Sequence, residues 1–480
     1  MRYSLALLLM LACQGGPLWN TDPGAAPEQA IDTRLYAAAG ATIITPDPTR
    51  HPCPVYLGGT HQNRPAKGVH DDLEMRALLL RQGQEELLIL ALDVVGLLKP
   101  DVDAIKEEVA RRGLRKDRVM VAALHTHAGP DTIGIWGPDV SHTGRCQAYI
   151  AFLCSAAGDL AEALVPRLAP VTVVAGEGEI HEEGSDHPSL ILDFREPQVV
   201  QNRLTVLAFR DDNGATVATL VNWHAHPEVM IGSDLVSADF PHYLRRAVDA
   251  KVGGQCIYLS GTLGGLQTVL DLKVPLYTED GQPDASGAFV SDDNEVKEWS
   301  VGYTLARHVS LVLSKARPID PALSIETTTV DLPFDNLLLA AAINSGLTAS
   351  SSETMTGDCG EYGCLRQPIS MASIGPVHLL CLPGEFFPES SVGRPAQTSD
   401  FGGQWGKKEF VAMDGWRVSL PPGHLLVEIG LCDNEIGYVV PAEDFLPPGH
   451  PDYYCEQDCL SPAVEGIVSS AVRDLLGRTH

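Results

Sequence analysis

The chain has 480 residues, 44% of them hydrophobic and 20% charged. Those proportions build a large globular core and exclude a disordered, collagen-like or coiled-coil chain. Its 62 acidic against 34 basic side chains leave a formal net charge of −28, which excludes sequence-independent nucleic-acid binding and disfavours docking on anionic lipid through a basic patch.

In chain order, Met1-Arg2-Tyr3-Ser4 followed by the apolar run Leu5–Ala12 predicts a secretory signal over residues 1–12. That run is far short of the roughly 20 residues that span a bilayer, and no later stretch reads as a spanning segment either. Leu9-Met10-Leu11-Ala12-Cys13 resembles a bacterial lipobox, so Cys13 is the candidate lipidation site and residues 13–34 a flexible tether. An ordinary cleaved signal, with Cys13 incidental, is the alternative. Residues 35–480 then read as one α+β domain of mixed or antiparallel sheets flanked by helices, without internal repeats. Strands are predicted at 87–94, 119–124, 216–223, 256–260, 377–382 and 425–431. Helices are predicted at 101–112, 147–164, 239–250, 296–315 and 462–476, the last capped by Ser461 with Pro462 at its first position. Residues 277–295 and 350–368 read as loops. Ten cysteines besides Cys13 suit disulfides in an exported chain, and Cys359/Cys364 and Cys455/Cys459 are close enough to bridge locally.

Two strands run into paired histidines. Val119–Leu124 leads into His125-Thr126-His127-Ala128-Gly129-Pro130, and Val217–Trp223 into His224-Ala225-His226-Pro227. Strand alternation puts each pair on one face, and a proline ends each run. Two such pairs at strand ends suit a metal centre on a rigid sheet rim, because neutral imidazole is a common zinc ligand. Further acceptors follow other strands: Glu385 after Pro383-Gly384, and Tyr438 after Asp433-Asn434-Glu435. By local pattern Glu385 suits a helix start equally well, and Tyr438 reads as a packing residue. The chain has no GxSxG elbow, no second zincin histidine at position 185, no P-loop and no dinucleotide fingerprint.

Together these segments resemble the neutral/alkaline (non-lysosomal) ceramidases in their shorter bacterial form. The resemblance runs through Ala39–Pro46, Leu57-Gly58-Gly59, Gly68–Asp72, Arg76-Ala77-Leu78, Leu92–Leu97, His125–Pro130, Asn222–Pro227, Pro383–Phe386 and Gly437-Tyr438-Val439. It implies one catalytic zinc per chain held by His125, His226, Glu385 and Tyr438, with His127 lining the site. It also implies that His70 is an active-site histidine and that Tyr454, with Tyr453 as competitor, holds the reacting oxygen; His224 has no counterpart. The implied activity is hydrolysis of the amide bond of an N-acyl lipid, ceramide or a related N-acyl amine, through water activated by zinc. The implied form lacks the C-terminal β-sandwich domain of longer members and is exported, either lipid-anchored in the cell envelope through Cys13 or secreted. One family motif departs: where the family reads Gly-Asp-Val-Ser-Pro, this chain has Gly265, Gln267 and Thr268 in place of Asp, Ser and Pro. A serine nucleophile is therefore excluded, and ceramide itself is in question. The rival readings are a zinc hydrolase acting on another substrate and a non-catalytic surface lipoprotein that keeps the fold.

Overall fold

The computed structural model describes residues 33–348 and 357–479; the signal segment, Cys13 and most of the tether lie outside them. Nine strands form a mixed sheet, ordered 255–260, 216–223, 203–211, 169–179, 36–43, 74–82, 85–92 and 119–123, with 317–319 also beside 169–179. The outermost pairs at both ends are parallel, 255–260 with 216–223 and 85–92 with 119–123. A second sheet has the order 323–333, 364–374, 377–381 and 425–429, its last pair parallel.

Alternation along the strands explains the layering. Leu78, Leu80, Leu87 and Ile89 join a core shared with Ala372, Leu379 and Val427 of the second sheet. Their neighbours Leu79, Leu88 and Leu90 point to the opposite face, under Ile105 and Leu153 of helices Lys99–Arg111 and Gln147–Leu164. Helices Phe240–Val252 and Glu295–Lys315 pack together on the same sheet, where Phe240 meets Trp223 and Tyr258 edge-on. Val468, Val472 and Leu475 of the C-terminal helix cover the far side of the second sheet. The result is the expected α+β arrangement of facing sheets between helices.

Several expectations shift. Strands 36–43, 74–82, 169–179, 203–211, 323–333 and 364–374 are additional, and the last takes the end of the supposed loop 350–368. The C-terminal helix starts at Val464 rather than at 462, and the Ser461 hydroxyl accepts from Ala463 N–H in the turn before it. The stretch Gln147–Arg167 is, against expectation, long and apolar enough to cross a membrane by composition. Its helix is instead a core element, with Ile150, Leu153, Ala157 and Leu164 buried. Disulfides join Cys53–Cys146, Cys359–Cys364 and Cys381–Cys432, whereas Cys455 and Cys459 are buried free thiols.

Two buried imidazoles outside the lining of the candidate site contribute a pH dependence. His378 sits between Ser373 Oγ and His424 Nδ1, each at 2.8 Å, and burial with the neighbouring ring lowers its pKa to about 4. Burial likewise holds His224 well below the ordinary value. Both rings regain an ordinary pKa near 6.5 on unfolding, so the unfolded chain binds more protons below that pH. The contribution of these two rings is expected to be complete above about pH 6.5 and to fall as the pH drops toward about 4, read as a declining unfolding midpoint in urea. His378→Gln should flatten part of that slope.

Candidate metal and substrate site

Four strand ends meet at one place. The segments carrying His125 and His226 follow strands 119–123 and 216–223 of the large sheet, and those carrying Glu385 and Tyr438 follow 377–381 and 425–429 of the small one. The turn after Ile429 joins the sheets: Gly430 N–H donates to Ser260 O, Leu431 N–H to Gly384 O, and Ala123 N–H to Leu431 O. Asn222 reinforces this by donating to Glu428 O at 2.8 Å. Glu385 and Tyr438 are direct partners in a two-residue parallel ladder, Glu385 opposite Tyr438 and Phe386 opposite Val439. A carboxylate and a phenol 53 positions apart are thus fixed side by side by backbone hydrogen bonds.

The histidines do not reach the site by strand alternation. The first strand ends at Ala123, and His125 adopts φ 69°, in the left-handed region that non-glycine residues seldom enter. That turn brings His125 and His127 together with ring centroids 4.8 Å apart, and His226 joins them at 5.0 and 5.4 Å. One nitrogen from each of the three rings lies within 4.8 Å of the others. Gly59, at φ 96°, makes room, since a Cβ there would sit 2.4 Å from the His127 ring. Arg64 holds the same segment by donating to His127 O at 2.8 Å. His224, expected to share a face with His226, turns away instead. The second strand ends at Trp223, and His224 Nδ1 accepts from Thr262 N–H at 3.0 Å.

The electrostatics centre on Glu385. Its Oε2 is 3.1 Å from His226 Nε2 and its Oε1 3.5 Å from His125 Nε2. Burial opposes the charge, but the two rings outweigh it and hold the carboxyl well below the usual range. Burial also opposes charge on the rings; Glu228 and Glu385 lift His226 to about 9, and Glu385 raises His125. His127 is pushed the other way, well down, by burial and by the two adjacent rings.

These residues fit a metal ion. His125 Nδ1 is engaged by Val95 O and His226 Nδ1 by Gln267 O, which fixes the tautomers and turns both Nε2 atoms toward Glu385. Both His127 nitrogens are buried without a hydrogen-bond partner, although Nδ1 lies 3.4 Å from Glu228 Oε2. A donor set of two or three imidazoles, a carboxylate and a phenol suits zinc.

The cavity opening onto this cluster is walled by Trp136, Phe334, Leu339, Ile343, Leu365 and Ile436, with His125, His127, Glu385, Tyr438 and Tyr454 also in its lining. Tyr454 lies 5.9 Å from Tyr438 between ring centroids; the residue is 47% exposed at the cavity mouth, and partial burial of its hydroxyl with the Glu385 charge pushes it up to about 12. Arg195 positions this segment through a buried pair with Glu456 at 2.6 Å and a bond to Asp452 O. Tyr453 lines a different depression, beside Leu337 and Pro462. His70 is not in the cavity lining; its Nε2 faces Glu298 Oε2 at 3.0 Å, next to Asp71. Gln267 is fully buried and spent on its own surroundings, its Oε1 accepting from Gln201 N–H and its Nε2 donating to Val199 O. Sequence reasoning missed Glu228 and Glu435, which had no signal beyond an acidic residue two after His226 and another three before Tyr438.

The sequence matches no family model and no curated protein. Two solved structures are similar across 93% of this chain at 15% identity. Neutral ceramidase from Pseudomonas aeruginosa superposes with a TM-score of 0.67 over 74% of its own chain, and a ceramidase complexed with C2 with a TM-score of 0.65 over 75% of its chain. With facing mixed sheets and the His, Glu and Tyr cluster at their joined strand ends, this chain has the neutral ceramidase fold.

Proposed function

We propose that the chain is a zinc-dependent amidohydrolase that cleaves the amide bond of an N-acyl lipid, ceramide or a related N-acyl amine. The observation that carries this reading is the convergence of His125, Glu385 and Tyr438, with His226 behind Glu385, in the lining of a cavity whose wall is largely apolar. His125, His226, Glu385 and Tyr438 would hold one zinc ion. Bound zinc supplies Lewis acidity, which polarises a carbonyl and lowers the pKa of water. The apolar wall takes the acyl chain and brings its carbonyl to the cluster. The neutral His127 ring, with no hydrogen-bond partner of its own, accepts a proton there, and Glu228 lies at its far nitrogen. Tyr454, kept protonated, donates to the oxygen that gains charge. Gln267 contributes only its backbone carbonyl, which orients His226, and His70 lies outside the cavity lining.

The location follows from the same reading. The three disulfides favour an oxidising compartment, and we assign export through residues 1–12 with lipid attachment at Cys13.

The test is fatty-acid release from N-acyl amides of graded chain length. Ile343→Trp, which fills the apolar wall, is expected to cut release from a sixteen-carbon substrate by about 10- to 100-fold and to leave an acetyl amide nearly unchanged. Equal loss on both substrates would show that the wall does not hold the chain.

A further inference from the structure

One acidic side chain in the cavity has no task in the account above. Glu435 is 7% exposed and lines the cavity with His125, Glu385 and Tyr438. Its Oε1 accepts from Gly437 N–H at 2.7 Å, whereas Oε2 is buried without a hydrogen-bond partner. Gly96 closes over its stem, since a Cβ there would lie 3.0 Å from Glu435 Cγ, so the carboxyl is held in place. A buried carboxyl oxygen without a donor destabilises the protein, and a ligand that donates to it removes that cost.

No neighbouring side chain does so. The charged groups that face it are Glu385 and Asp458, of the same sign, and His125, which is already turned to Glu385. Asn434 is engaged on both ends: Nδ2 donates to Gln367 Oε1, while Oδ1 accepts from Lys99 N–H and Glu435 N–H.

We propose that Glu435 Oε2 is the recognition point for a hydrogen-bond donor on the amine half of the substrate, either the amide N–H or a hydroxyl close to it. The proposal rests on the N-acyl amide reading and narrows it to secondary amides and amides of amino alcohols. Glu435 is a specificity residue: it sorts amine halves, and the acyl chain is sorted by the apolar side chains of the cavity.

The experiment measures binding to the full chain in excess chelator, where hydrolysis does not interfere. Three probes share a dodecanoyl chain: the ethanolamide, with N–H and O–H; the N-propyl amide, with N–H alone; and the N-methyl-N-propyl amide, with neither. The wild type is expected to bind at least one donor-bearing probe about tenfold or more tighter than the third. Preference for the ethanolamide alone assigns the hydroxyl, and preference for both assigns the N–H. Glu435→Gln keeps the Gly437 contact through its amide oxygen and turns an NH2 toward the ligand. It should bind all three within about twofold, and because the pocket shape is kept, a steric effect of the methyl group would persist in it. Equal binding of all three by the wild type, or discrimination retained in Glu435→Gln, overturns the proposal. Release of fatty acid from none of the three by the zinc-loaded chain overturns the N-acyl reading itself, and the anchor with it.

Discussion

Glu385→Gln is expected to lower amide hydrolysis by about a thousandfold or more and to empty the metal site. The carboxylate sits between His226 Nε2 at 3.1 Å and His125 Nε2 at 3.5 Å and is the acidic member of the proposed ligand set. Its amide replacement has the same shape but no charge, so it binds a divalent cation poorly. A metal site contributes several kcal/mol to transition-state stabilisation, and about 4 kcal/mol corresponds to a thousandfold. The fold should survive, because the Glu385–Tyr438 ladder is made by the backbone and the buried strands around it are untouched. The check is parallel measurement of bound zinc and of fatty-acid release, with circular dichroism to confirm folding. Retained zinc with retained activity would remove Glu385 from the ligand set.

Arg245→Ala is expected to cost about 3–5 kcal/mol of stability, the largest effect of any single change outside the site. Its guanidinium meets both oxygens of Asp93 at 2.6 and 2.7 Å, with the two side chains 1% and 0% exposed. Truncation leaves Asp93 buried and charged with only Glu74 N–H as a donor. The effect should reach the site as well. Asp93 begins the segment whose Val95 carbonyl engages His125 Nδ1, so loosening it loosens the histidine. Activity should therefore fall before global unfolding as temperature rises. Replacing both partners, as Arg245→Met with Asp93→Leu, should recover most of the stability, because neither charge is then stranded. A double variant no more stable than Arg245→Ala would show that the loss comes from packing instead.

The fold was legible where one strand carries its own signal. Val119–Ala123 and Val377–Cys381 are short, fully buried runs, apolar except for His378, and the predicted bounds agree within a residue or two. Strand Tyr36–Ile43 was not, because Tyr-Ala-Ala-Ala-Gly-Ala-Thr-Ile has no strand pattern of its own. It becomes a strand by pairing along its whole length with 74–82, Ala37 opposite Leu80 and Ala39 opposite Leu78. Tertiary packing decided that element.

The site divides in the same way. The spacing of the two histidine pairs points to His125, His127, His224 and His226 alike, and the structure gathers the first two and the last. The reason given for it was wrong, because both strands end before their histidines and the left-handed turn at His125 does the work. His224 went astray with that reasoning. Tyr438 could not be told from a packing residue by pattern, because its role rests on a ladder to Glu385 that only the folded chain forms. Glu435 was hidden for a similar reason: its importance lies in what it does not touch.

Zinc content measured together with fatty-acid release tests the account most directly, on the wild type as purified, after chelation, and after zinc is returned. The account predicts one zinc per chain, release of fatty acid from an N-acyl amide, loss of both on chelation and recovery of both on re-addition. Fatty-acid release that survives complete removal of metal, or a folded chain that takes up no zinc when it is offered, would contradict it.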